Sequence, residues 1–88
     1  MRFTWDSRKA ASNVRKHHVT FEEAVSVFTD PFALVTDDAA HAERSLIIGE
    51  SARQRVLLTV FVEQGDEQIR IISARRATSH ERKKYEEG

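Results

Sequence analysis

An 88-residue chain with 40% hydrophobic residues, no cysteine, and 14 lysine and arginine against 14 aspartate and glutamate forms one domain, residues 1–88, with an expected radius of gyration of roughly 12 Å. Without cysteine there is no disulfide framework, thiol nucleophile or cysteine-held metal, and with three glycines and one proline extensive disorder is not expected. The apolar runs are too short to span a bilayer and the start, MRFTWD, lacks a signal-peptide core, so a cytoplasmic protein without a membrane partner is expected.

Arg2 to Trp5 reads as a short strand. Asp6 then has the chemistry of an N-cap, a carboxylate that accepts from an orphan backbone N–H. Ser7 to His17 follows as a helix, with Ala10, Ala11, Val14 and His17 at helical spacing. Arg15, Lys16 and His17 complement the dipole of its last turn. A second helix opens on Thr20 and Glu23, a capping-box pair flanked by Val19 and Ala24 at staple positions. Phe21, Ala24, Val25 and Phe28 form its apolar stripe, and Asp30-Pro31 ends it. The two helices meet at His17-His18-Val19, a bend that calls for a left-handed residue near His18.

The rest is mostly strand: a short candidate at 32–36, an acidic loop at 37–43, and stronger strands at 44–49, 56–63 and 67–74. Gln64-Gly65-Asp66 supplies a tight turn between the last two, and connections this short imply antiparallel pairing. Thr78-Ser79-His80-Glu81 is a second capping box, opening a charged helix to about Glu87. The expected fold is α+β: a short N-terminal strand, two N-terminal helices, an antiparallel sheet of about four strands and a C-terminal helix. In the strand 56–62, Val56, Leu58, Val60 and Val62 share one face, and Leu57, Thr59 and Phe61 the other. The two N-terminal helices cover one face. The other needs the C-terminal helix, another subunit or a partner protein, and a partner-binding surface is preferred to full self-coverage.

The zero net charge hides opposed blocks. Residues 1–21 carry +4, residues 22–50 carry −6, residues 51–69 carry −1 and residues 70–88 carry +3. If the fold brings the two basic blocks together, one face has a positive field that the total conceals.

An ordered set of short motifs runs along the chain: Phe3-Thr4-Trp5-Asp6 with Lys9; Asn13 with Lys16-His17 and Val19; Phe21-Glu22-Glu23-Ala24; Phe28 with Asp30-Pro31; Glu43-Arg44; Ile48-Gly49; Ile69-Arg70-Ile71-Ile72-Ser73-Ala74-Arg75-Arg76-Ala77; and Glu81-Arg82 with Tyr85. Together they resemble the BrnT family, small toxins of bacterial type II toxin–antitoxin systems with a RelE-like fold. The set covers about residues 3 to 86. One position departs, His18, where the family usually has glycine. The resemblance implies a ribonuclease that cleaves RNA and is silenced by a cognate antitoxin. That antitoxin is usually of ribbon-helix-helix type and carries the DNA contact through which the complex represses its own operon. A homodimer and a hetero-oligomer are both open at this level.

Metal-independent RNA cleavage uses the RNA's own 2′-OH as nucleophile. It needs a base for that proton, cations for the charge growing on phosphate and an acid for the leaving 5′-oxygen. Arginine forks phosphate oxygens, and histidine titrates near neutrality. No cofactor is expected, and the histidines at 17, 18, 41 and 80 lack metal-motif spacing. The candidate catalytic residues are His17, Arg44 and Arg75; the candidate RNA-binding residues are Lys16, Arg70, Arg76 and Tyr85. Each has a plainer reading: helix-dipole complement for Lys16 and His17, a cross-strand ion pair for Arg44, a solvated strand end or a salt bridge to the acidic 37–43 loop for Arg75, surface charge for Arg70 and Arg76, ring packing for Tyr85. Glu43 is either a base or a loop acid. Trp5, Phe21 and Phe28 read as core rather than base-stacking platforms. The competing function is a non-catalytic module, a degenerate toxin that only binds nucleic acid or antitoxin.

Overall fold

The computed structural model describes residues 1–88. After strand β1 (Arg2–Thr4), the Asp6 carboxylate accepts from the N–H groups of Arg8 (2.7 Å) and Lys9 (3.3 Å) and starts helix α1 (Ser7–His17). His18 ends it in the left-handed region, φ 58°. Helix α2 (Phe21–Ser26) runs into a 3-10 turn at Val27–Thr29. Strands β2 (Leu34–Asp37), β3 (Ser45–Glu50), β4 (Val56–Gln64) and β5 (Gln68–Arg76) follow, with Gly65 at φ 71° turning β4 into β5. Helix α3 (Ser79–Glu87) closes the chain with a complete capping box between Thr78 and Glu81.

The sheet has five strands in the order β1-β5-β4-β3-β2. This extends the expected four-strand antiparallel sheet. Strand β1 joins it as a parallel edge, pairing Phe3 with Ile69 and Thr4 with Arg70. A strand of three residues must find partners for its N–H and C=O groups, and the open side of β5 supplies them. A bulge sits in β5, where Val60 pairs with Ser73 and Phe61 with Ile71, leaving Ile72 as the extra residue.

Helices α1 and α2 cover one face of the sheet, where Val19, Phe21, Ala24, Val27, Leu57, Phe61 and Ile71 form the main core. Phe28 stands 5.1 Å from both Phe3 and Phe61, and Trp5 lies edge-on to Phe21 at 5.8 Å. These rings pack on one another inside the fold, as their spacing predicts. On the opposite face, Ile48, Leu58 and Ala77 form a smaller cluster that receives the Tyr85 ring. Helix α3 therefore covers one end of that face and leaves Leu46, Val60 and Val62 half-buried.

Two expectations change. The inward residue of α1 is Asn13, while Ala11, Val14 and His17 are exposed. The Asn13 amide donates to the Val19 carbonyl (2.9 Å) and the Ala74 carbonyl (2.7 Å), and accepts from the Ala74 N–H (3.1 Å). A polar side chain wins the inward position because it satisfies backbone groups that an apolar one would strand. The second change is at Glu23. Thr20 accepts from the Glu23 N–H at 3.0 Å, but the Glu23 carboxylate does not return the capping bond. It lies buried, takes the Arg55 guanidinium and accepts from the Ser51 hydroxyl at 2.6 Å. Arg55 also donates to the His18 carbonyl at 3.1 Å, bracing the bend.

Asn13→Ala removes three buried hydrogen bonds and strands three backbone groups, an expected loss of about 2–4 kcal/mol. Urea denaturation of variant and wild type measures it directly. A loss below about 1 kcal/mol refutes this role for Asn13.

Candidate functional site

Side chains alternate along β5 on either side of its bulge. Ile69, Ile71 and Ala74 point into the main core. Arg70, Ser73 and Arg75 therefore lie on the opposite face. Their partners across β4 are Val62, Val60 and Leu58. On β3, Leu46 and Ile48 pack on this same side, and the alternation places Arg44 with them. The fold so gathers three of the sequence-predicted arginines on one face. Arg70 and Arg75 sit about 13 Å apart along the sheet, and Arg44 about two strand spacings, or 10 Å, to the side. Arg76 is exposed at the end of β5, opposite Leu57 on the helical side, apart from the other three.

Arg75 does not pair with the acidic 37–43 loop. It forms a bidentate pair with Glu81, Nη1 to Oε1 at 2.8 Å and Nη2 to Oε2 at 2.9 Å. Nη1 also donates to the Arg76 carbonyl at 3.2 Å. Three of the five guanidinium N–H donors are used, which leaves two for an anion. Glu81 is the capping residue of α3, so one carboxylate ties the helix start to the arginine. The Arg75 hydrogen bonds outweigh burial and hold the Glu81 carboxyl down at about 2. Arg44 has only a loose contact with Glu43, 4.0 Å, between partly exposed groups; such a pair is weak.

Tyr85 is half-buried and its hydroxyl donates to Asp30. Asp30 also accepts from the N–H groups of Glu50 (2.7 Å) and Phe32 (2.9 Å). Burial pushes the Asp30 carboxyl up, but these bonds outweigh it and keep the group below its ordinary value. The bond to Asp30, with burial added, pushes the Tyr85 phenol up to about 12. A methyl group at Gly49 would meet Asp30 Oδ2 at 3.3 Å and the Ala33 Cβ at 3.1 Å, so the glycine makes room for this carboxylate. Tyr85 thus docks α3 onto the turn before β2.

Lys16 and His17 stand at the exposed end of α1. They line a shallow cleft of about 180 Å³ with Lys9, Ser12, Asn13, Ile72 and Ser73. Ser73 lines this cleft at the edge of β5 and lies between Arg70 and Arg75 along the strand. Strand β1 pairs β5 only as far as Arg70, so the edge beyond is open; the cleft lies on the α1 side of that edge, and Arg70 and Arg75 point to the other face. Each side of that edge thus presents cations to a polyanion, Lys9 and Lys16 with the His17 imidazole on one, Arg70 and Arg75 on the other.

Several residues here escape a reading of the sequence. Ser12 reaches the cleft only through the packing of α1 on β5, as does Lys9, which the sequence marked as a motif residue without a role. Arg55 and Glu23 are 32 positions apart, and nothing local marks them as a pair. Asn13 was visible only as one motif residue among many.

A protein-family model described as the ribonuclease toxin BrnT of type II toxin–antitoxin systems matches residues 5–81. The chain belongs to this family. A solved structure agrees: the chain is similar to the Brucella abortus ribonuclease toxin BrnT, with TM-score 0.74 and 27% identity over 90% of this chain and 99% of that one. Among curated proteins, none matches. Membership of the BrnT family brings RNA as substrate and an antitoxin as partner at the level of the family. No helix is long and apolar enough to cross a membrane.

Two titrations test the site's geometry. Glu81 has a carboxyl pKa lowered from 4.5 to about 2. Its contribution is therefore fully present above about pH 4.5 and lost as the pH falls through about 2. Because the Arg75 side chain is 38% exposed, Glu81→Gln is expected to cost only about 1 kcal/mol at pH 7. That difference should vanish near pH 2, as read by denaturation at several pH values. Tyr85 is the only tyrosine, so ultraviolet titration reports it alone. Little tyrosinate should form at pH 10, and Asp30→Asn should bring the transition back toward that value.

Proposed function

We propose that this chain cleaves RNA without a metal cofactor, by attack of the RNA's own 2′-OH on the adjacent phosphate. The new 2′-O–P bond displaces the 5′-oxygen, leaving a 2′,3′-cyclic phosphate and a 5′-OH. One proton leaves the 2′-OH for a base and one is delivered to the departing oxygen. The observation that supports the reading is the open edge of β5, with Arg70, Ser73 and Arg75 on one face of the strand and Lys16 and His17 in a cleft on the α1 side that also reaches Ser73.

In this reading Arg75 spends its two remaining N–H donors on the phosphate as charge grows there. Glu81 fixes the guanidinium plane and so orients it beforehand. His17 is the proton-transfer group, acid or base, because it alone of the proposed residues has an imidazole suited to neutral pH. Lys16 and Arg70 hold flanking phosphates. Arg44 gives a further contact on the same face, and Arg76 a peripheral one. Tyr85 contributes by seating α3, which carries Glu81. The antitoxin is of ribbon-helix-helix type, and the toxin–antitoxin complex represses its own operon; the family assignment supports this.

The pairing of Arg75 with Glu81 favours a second reading, in which the neutralised arginine binds RNA without cleaving it. Purified protein, chelator and end-labelled RNA separate the two. Cleavage to 2′,3′-cyclic phosphate ends is expected, with salt-sensitive binding. Arg75→Ala and His17→Ala, each folded, should lower the rate about 100-fold. Full activity in both variants sinks the site assignment, and binding without products supports the non-catalytic module.

A further inference from the structure

Strand β2 is the outer edge of the sheet and is left without a partner on one side. The Asp38 N–H donates inward to the Arg44 carbonyl at 3.2 Å. By antiparallel alternation, the backbone N–H and C=O groups of Val35 and Asp37 point outward. Exposed edges of this kind are usually short, charged or covered. This one is four residues long and carries Asp37, yet two large apolar side chains stand out at it, Val35 in the strand and Phe32 just before it, 63% and 73% exposed. On one side of the strand, a cleft of about 480 Å³ is lined by Phe32, Leu34 and Tyr85, with Glu86 at its rim. On the other, a cleft of about 230 Å³ is lined by Val35, Phe28, Phe61 and Ile69, with Glu63 and Asp66 at its rim. A strand added to β2 would send alternate side chains toward these two clefts.

Charge selects the occupant. Residues 30–43 contain Asp30, Asp37, Asp38 and Glu43 and no lysine or arginine. A second copy paired edge to edge would set one acidic segment against another. A basic segment meets a complementary field. We propose that β2 is the docking edge for an extended segment of the antitoxin, in which apolar side chains alternate with lysine or arginine. The identity of this partner rests on the toxin reading; the edge, the two clefts and the charge do not. The edge lies at the opposite side of the sheet from β5, so a segment docked here need not enter the proposed RNA site.

Calorimetric titration of the full chain with the antitoxin encoded beside it tests the proposal. The double variant Phe32→Ser, Val35→Lys removes the apolar anchors and places a cation on the edge. Asp37→Pro removes an outward N–H, a change that edge strands tolerate. With folding checked by circular dichroism, each should weaken antitoxin binding at least tenfold and leave RNA cleavage by the free toxin unchanged. Amide exchange at Val35 and Asp37 should slow when antitoxin binds. Unchanged affinity in both folded variants, or protection confined to other strands, overturns the proposal. So does a wild-type dimer that dissociates in the double variant at unchanged antitoxin affinity, which assigns the edge to a second copy. A wild-type chain that binds no antitoxin overturns the toxin reading itself, and the docking edge with it.

Discussion

The side-chain amide of Asn13 takes the place of a missing strand. Strand β1 pairs β5 only from Gln68 to Arg70, and beyond that point the edge of β5 is open. Asn13 meets both the N–H and the C=O of Ala74 there, as a neighbouring strand would, and spends its second amide proton on Val19. Much follows from this contact. It fixes the end of α1 against β5 and fixes the chain just after the His18 bend. It also leaves room beside the strand for the cleft that holds Lys16, His17 and Ser73. A full-length edge strand would have satisfied the same backbone groups and closed that cleft. The buried asparagine keeps the edge paired where stability needs it and open where a polyanion can approach.

A second polar network supports the first from the other side of the bend. The left-handed conformation at His18 is mildly costly for a residue with a Cβ. Arg55 accepts part of that task by donating to the His18 carbonyl, and Glu23 holds Arg55 in place. Glu23 is buried, and the Arg55 guanidinium is what keeps its carboxyl low against the cost of burial. Breaking such a pair from one side leaves a buried charge, which is worse than never having had the pair. The bend at a residue with a Cβ is thus compensated by contacts rather than by backbone freedom.

The charge blocks resolve in space into separate regions. The basic residues of α1 and of β5 flank the open edge of β5 from its two faces, while Asp37, Asp38 and Glu43 of the acidic block lie in β2 and the loop that follows it, at the far edge. Helix α3 is the hinge of this division. Its capping glutamate neutralises part of Arg75, and its tyrosine is anchored at Asp30, near the acidic edge. The expectation of an under-covered sheet face holds in part: α3 shields Ile48 and Leu58, and Leu46, Val60 and Val62 remain half-buried.

Local signals were legible wherever a residue's partner lies within a few positions. Asp6 as a cap, the Thr78–Glu81 box, the left-handed His18, the turn at Gly65 and the strand order β3 to β5 all follow from short-range chemistry and period-two patterning. The sequence also carried the family motifs and the arginine-bearing strand. What it left undecided depends on partners far along the chain. The parallel seat of β1, the inward turn of Asn13 and the diversion of Glu23 from cap to ion pair each join residues dozens of positions apart. Arg75 differs: its partner Glu81 is only six positions on, but it is the docking of α3 that brings this carboxylate, rather than the acidic 37–43 loop, to the strand end. The sequence by itself determined which groups need satisfying; only the tertiary structure decided which partners reach them, because a buried polar group is held by whatever donor or acceptor the packing delivers within hydrogen-bond distance.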